Sequence, residues 1–308
     1  MKYLQKLGKA IMLPVAVLPV AAIMMGIGYA MCPATMQGGD VTGIIQIIGF
    51  ALVKIGSAVI DKLPMLFAVG VAIGLSKDQH GAAGLAGLVA FLTVTTVLNS
   101  GVVATMMGAE EAPLAFSKID NAFIGIISGI TASVCYNKFS SAQLPTALAF
   151  FSGKRCVPIV TSFVMVAESA ILYFVWPMLF NALVWVGEHI MGLGPVGAGL
   201  YAFANRLLIP TGLHHALNAV FWFDIAGIAD INKFWGFAEG GIKGVTGMYQ
   251  AGFFPVMMFG LPAAAFAMYR AAAPSKRKTV GSLLAAAALT SLLTGITEPL
   301  EFTFIFVA

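Results

Sequence analysis

GITEPLEF, residues 295–302, sets two carboxylates, Glu298 and Glu301, inside the apolar run that fills residues 280–308. A carboxylate is expensive in hydrocarbon, and inside a membrane segment it marks a functional site by default. Pro299 removes a backbone donor and disfavours helix at Glu298, so the run is predicted to break there. Residues 281–296 alone would reach only about 24 Å as a helix, short of the roughly 30 Å hydrocarbon core. Irregular backbone at that depth is tolerated only where it is buried in protein or lines a cavity. The stretch therefore reads as the tip of a re-entrant hairpin facing a substrate. The competing reading is a kinked helix with a buried structural Glu.

Composition agrees with a membrane setting. Of 308 residues 59% are hydrophobic and 10% charged, and the mean hydropathy is +0.93. A soluble enzyme would carry nearer a quarter charged residues, so the expected fold class is an all-α polytopic membrane protein. The net charge of +4 is spread over short clusters with no basic stripe, which argues against nucleic acid as a partner. Cys32, Cys135 and Cys156 show no CxxC spacing, so neither a disulfide framework nor a zinc site is implied. No HExxH, Walker A loop or Gly-x-Ser-x-Gly elbow occurs, and no metal or cofactor is expected. Lys2, Lys6 and Lys9 precede an apolar body at residues 11–30 that reads as a first spanning helix in place of a cleaved signal peptide.

Further apolar runs cover residues 41–60, 63–75, 82–107 and 122–136. The run 63–75 has thirteen residues between charged flanks and reads as a half-helix. Five full crossings from a cytoplasmic N-terminus would leave Lys138, Lys154 and Arg155 outside, against the positive-inside rule, so the topology of this half stays open. Residues 138–158 are amphipathic and carry Pro145 and Pro158, and we expect an interfacial helix or linker there. It divides an N-terminal bundle (residues 1–137) from a C-terminal domain (residues 159–308). In that domain, residues 159–186 form a long span interrupted at Pro177, with Glu168 read as a structural residue. Residues 192–247 are the least membrane-like part, and residues 249–269 span again. Arg270, Lys276, Arg277 and Lys278 make the strongest basic loop, which belongs in the cytoplasm together with the N-terminal lysines. The last residues are apolar with no polar flank, so the chain is expected to be truncated from a longer parent.

Arg206 and His214 flank Pro210 and Gly212, which predict a bend between them. Arg206 offers a fixed fork of donors, a neutral His one donor and one acceptor, and Glu298 further acceptors. That set suits an uncharged polyol, and Phe221, Trp222, Phe223 and Trp235 could cover the apolar face of a sugar ring. His215 points away from its neighbour, so His214 is favoured. Residues alone lead to a carrier for an uncharged polar molecule, and an ion-coupled secondary sugar transporter or facilitator is the alternative reading.

The stretches LPMLFAVGVAIGLSKD (63–78), LPTALAFFSGKRCVPI (144–159), RLLIPTGLHHALN (206–218), FFPVMMFGLPAAA (253–265) and GITEPLEF resemble the membrane C component, EIIC, of the bacterial sugar phosphotransferase system, glucose superfamily. The resemblance implies a homodimer in the bacterial inner membrane, with the N-terminal bundle as the dimer contact. It implies a C-terminal sugar-binding domain with re-entrant hairpins, which carries its load across the membrane as a body in an elevator-like motion. It further implies 6-phosphorylation of the sugar by the phosphocysteine of a B domain (EIIB), supplied upstream by EIIA and HPr. Those domains would lie beyond Ala308 or on separate chains, and none of the three cysteines here would be the phosphocysteine. Arg206 and His214 match the family's Arg and His around LHH, and Thr297 and Glu298 match its TEP. By resemblance, Arg206, His214, Thr297 and Glu298 bind substrate, and Glu298 and His214 serve the chemistry. LHHALNAVFWFDIAG (213–227) is most similar to the N-acetylglucosamine branch.

Overall fold

The computed structural model describes residues 6–7, 10–11, 14, 17–37, 39–209, 214–222, 229–236, 239–297 and 300–301. Among the described residues the regular structure is helical, with no strand. Among the described residues three helices are each long and apolar enough to cross a membrane: Ala122–Phe139, Gly153–Ile190 and Met248–Ala271. The chain packs as two compact units. One gathers Met1–Pro14, Lys62–Glu188 and Thr211–Leu217, the other Val15–Asp61, His189–Pro210 and Asn218–Ala308.

The first unit is built around the thirteen-residue helix Leu63–Leu75, which has Pro in its first turn, where the missing N–H costs no bond. Phe67, Ala68, Val71 and Ala72 are all 3% exposed or less, because helices Gly81–Val97 and Ala122–Phe139 pack on it. Glycines allow the approach. A Cβ at Gly125 would stand 2.1 Å from the Pro64 carbonyl oxygen, and one at Gly129 2.8 Å from that of Ala68. Close backbone contact through small residues is how helices associate where no water drives them together. At the end of this bundle Asn137 accepts from the Lys77 amide (2.8 Å) and donates to Leu75 O (3.1 Å). Asp78 accepts from Tyr136 Oη (3.0 Å) and Lys154 Nζ (2.7 Å).

Two expectations for this unit need correction. The run 82–107 is two helices, Gly81–Val97 and Ser100–Met107, bent by 49°. Asn99 caps the second by accepting from the Gly101 amide (3.0 Å), so a polar cap outweighs the continuity of the apolar pattern. Pro177 does not interrupt its span, since one helix runs from Cys156 to Met191. Its neighbour Trp176 is anchored by a buried bond from Nε1 to Ala115 O (2.7 Å), and a helix of 36 residues survives the loss of one ladder bond. At 1.5 Å per residue this helix is roughly 54 Å long, well beyond the hydrocarbon core. Glu168 within it accepts from Thr131 Oγ1 at 2.7 Å. Ahead of it, the amphipathic stretch forms two short 3-10 turns, Thr146–Phe151 and Gly153–Arg155. The Gly153 amide folds back on Ala142 O (2.7 Å).

In the second unit, helices Leu18–Met31 and Ile44–Ile60 pair. Helix Arg277–Thr294 packs against Leu261–Ala271 and shares a core of Ala265, Leu284 and Leu300. The segment Met248–Ala271 contains a π turn at Val256–Gly260, and Ser291 Oγ from the facing helix donates to Met257 O (2.6 Å). The expected break ahead of Pro299 lies a few residues earlier. Helix Arg277–Thr294 ends at Gly295, whose φ of +73° is the left-handed conformation that favours glycine.

Candidate functional site

Helix Pro195–Leu208 presents Tyr201, Asn205 and Arg206 in its last two turns. Asn205 lies one turn after Tyr201, so the two polar groups share a face. Tyr201 Oη donates to Asn218 Oδ1 (2.6 Å), and Asn205 Nδ2 donates to the same oxygen. The Tyr201 ring packs on Phe221 (4.5 Å between centroids), Tyr249 (5.7 Å) and Phe253 (5.9 Å). Below them the buried carboxylate of Asp230 accepts from the amides of Gly247 (2.7 Å) and Tyr249 (3.1 Å). This fastens the loop that delivers Tyr249 and Phe253.

Arg206 stands on this floor, its guanidinium carbon 4.6 Å from the centroid of the Phe253 ring. Its Nη1 forms an ion pair with Glu301 Oε1 and donates to Thr297 Oγ1 at 3.2 Å. Thr297 in turn donates to Glu301 Oε2 at 3.0 Å. Thr297 occupies this position because Gly295 ends the preceding helix. The amides of Leu300 (3.0 Å) and Glu301 (3.1 Å) then donate to Thr297 O, starting a new turn. One helical turn thus sets the Thr hydroxyl and the Glu carboxylate on one face, and Arg206 closes the triangle. Thr297 and Glu301 are buried, so the cation's charge is met by an anion where a lone charge would be costly.

A cavity of about 490 Å³ adjoins the pair, walled by Arg206, Glu301, Ile209, Leu261, Ala264 and Met268. Its polarity is confined to the Arg206–Glu301 end, so hydroxyls entering it would find partners only there. Among the described residues only Nη1 of the five-donor guanidinium is engaged, and the remaining donors are chemically able to serve a polyol.

Of the residues expected to form the site, the structure brings Arg206 and Thr297 together. His214 is buried at the start of helix His214–Trp222 and packs within the first unit. Glu298 lies outside the described residues, as does Phe223. Phe221 is buried against Tyr201 and Tyr249 as packing, and Trp222 meets Phe253 edge-on at 5.9 Å. The reading from sequence flagged Glu301 as a costly carboxylate without giving it a part in the site, and it passed over Tyr201, Asn205 and Asn218. The signal for Glu301 was available, since it stands four residues after Thr297 in the same apolar run.

A family model described as phosphotransferase system, EIIC, matches residues 8–308. The N-acetylglucosamine-specific EIICB component of Bacillus subtilis (strain 168) is 42% identical over 314 residues, covering 100% of this chain and 62% of the relative. The N-acetylglucosamine-specific EIICBA component of Escherichia coli (strain K12) is 41% identical over 322 residues, covering 99% of this chain and 44% of the relative. The glucoside-specific EIICBA component of Staphylococcus carnosus (strain TM300) is 39% identical over 343 residues, 99% of this chain and 49% of the relative. The chain thus spans 44–62% of the length of these relatives. With several helices long and apolar enough to cross a bilayer, and a match that runs nearly end to end, the chain belongs to the EIIC family of integral membrane components of the phosphotransferase system.

Proposed function

We propose that this chain is the membrane permease part of a phosphotransferase-system transporter for N-acetylglucosamine, presenting the sugar for 6-phosphorylation by the phosphocysteine of an EIIB domain. The observation that carries the reading is the similarity, at 41–42% identity over the chain, to relatives named for N-acetylglucosamine. The cluster of Arg206, Thr297 and Glu301 on an aromatic floor supports it. Arg206 and Thr297 bind sugar hydroxyls, and Glu301 holds Arg206 in place from behind. Glu298, next to Thr297, accepts a hydrogen bond from a hydroxyl near the 6-position and removes its proton as the phosphoryl group arrives. His214 is assigned to sugar binding on the family resemblance of its LHH segment alone. The working unit is a homodimer joined through the N-terminal bundle, and the sugar-binding domain moves as a body between two faces of the membrane.

Reconstitution tests the chemistry. Proteoliposomes holding the full-length transporter, loaded with an EIIA and HPr phosphate supply, should accumulate labelled N-acetylglucosamine as its 6-phosphate, and only while the supply lasts. Accumulation of unmodified sugar, driven by an ion gradient with no phosphate supply, would establish the secondary-transporter reading in its place.

A further inference from the structure

A cavity of about 500 Å³ lies between helices Leu261–Ala271 and Arg277–Thr294. Arg277 and Lys278 at the start of the second helix line one end of it, and Leu284, Ala285 and Ala288, one to three turns further on, line it with Tyr269. Arg277 donates from Nη2 to Arg270 O (3.4 Å) and Ala272 O (3.3 Å), which closes the loop. Its Nε is buried with no partner among the described residues. Gly281 keeps Tyr269 close to the helix, since a Cβ there would lie 2.9 Å from the ring. Helix Arg277–Thr294 opens with no side-chain cap, so its first amides add to the positive field at that end.

The charged residues that line this cavity, Arg277 and Lys278, have one sign. Arg270, Lys276, Arg277 and Lys278 are all cationic, and no Asp or Glu occurs between Glu239 and Glu298. Beyond that end the outward surface is apolar, with Phe266, Leu283 and Leu293 each more than half exposed. A cationic rim continuous with an apolar groove matches a molecule with an anionic head and hydrocarbon tails. A free phosphate would leave the groove unfilled, and a zwitterionic lipid would add its own cation to four others.

We propose that this groove is a binding site for an anionic phospholipid, whose phosphate sits at Arg277, Lys278 and the uncapped helix end and whose acyl chain lies along Leu284 and Ala288. Basic pockets of this kind between membrane helices recognise lipid headgroups, each cation near the surface contributing about fivefold in affinity. The site is separate from Arg206, and the inference does not depend on which sugar is carried.

Native mass spectrometry of the full-length protein in detergent tests it, with dioleoyl phosphatidylglycerol and dioleoyl phosphatidylcholine as probes. The phosphatidylglycerol adduct should exceed the phosphatidylcholine adduct about tenfold or more. Lys278→Gln should lower that preference about fivefold, and Ala285→Trp, which fills the groove, should abolish adducts of both lipids. Melting in lipid-free detergent shows that each variant is folded. Should Ala285→Trp not fold, the exposed Lys278 substitution carries the test alone. Equal binding of the two lipids, or a preference unchanged in Lys278→Gln, would overturn the proposal. Displacement of the phospholipid by soluble glycerol 1-phosphate at matching concentration would do so too, since the groove would then add nothing.

Discussion

Two carboxylates three residues apart, Glu298 and Glu301, are assigned different work. Glu301 completes the ion pair with Arg206 and accepts from Thr297, so Glu301→Gln should lower stability by about 1.5–3 kcal/mol, the value of hydrogen bonds to a charged group. Glu298→Gln should leave melting nearly unchanged and cut phosphorylation by about 10²–10⁴, the range for a lost general base, with sugar binding kept within about tenfold. His214→Ala should weaken sugar binding itself. Thermal melting beside phosphorylation assays on the same variants separates these roles, and a Glu298→Gln protein with parental phosphorylation would end the base assignment. A third acid, Asp78, faces water. The Lys154 ammonium and the Tyr136 hydroxyl hold its carboxyl at about 2, below its ordinary 3.8. The folded protein thus releases this proton more readily than the unfolded chain does. The stabilisation is fully present above about pH 4, and it fades as pH falls toward the folded value. Melting curves of Asp78→Asn against the parent should differ at pH 6 and converge near pH 2, and a difference that persists at pH 2 would mean that its charge is not the cause.

The helix Leu63–Leu75 shows how packing exceeds what hydropathy can report. Its bounds were legible as thirteen apolar residues between charges, but its place at the centre of three helices depends on glycines of a helix some fifty residues further along the chain. Gly125 is the clearest of these, and Gly125→Ala should cost about 1–3 kcal/mol by forcing the Pro64 carbonyl away. Unchanged thermal stability in that variant would show that the contact is loose. The same limit explains the misread breaks. Pro177 looked like an interruption because the sequence does not show Trp176 anchored to Ala115 O. Asn99 was passed over because its capping bond is local while the surrounding run is apolar. For the terminal run, Pro299 was legible as a break, but the residue that ends the helix is Gly295. Arg206 and Thr297 were legible because a charge or a TEP motif is conspicuous in apolar sequence. The Tyr201–Asn218–Asn205 cluster that supports them was not, because small polar residues at one-turn spacing occur widely in membrane helices for packing alone.

The chain is a membrane component of the EIIC family and spans 62% and 44% of two relatives named as EIICB and EIICBA components. Its two compact units divide the chain discontinuously, and each contains segments from both halves of the sequence. A rigid-body transport step would carry Arg206 and Thr297 together, since both pack in one unit. On the proposed site, sugar selectivity would be set by what surrounds that pair, and it is open to equilibrium measurement without phosphoryl transfer. Labelled N-acetylglucosamine should bind the purified full-length protein saturably, and unlabelled glucose should compete about 2- to 12-fold less well, the value of one lost amide hydrogen bond. Glucose competing as well as unlabelled N-acetylglucosamine, or no saturable binding of N-acetylglucosamine, would contradict the account.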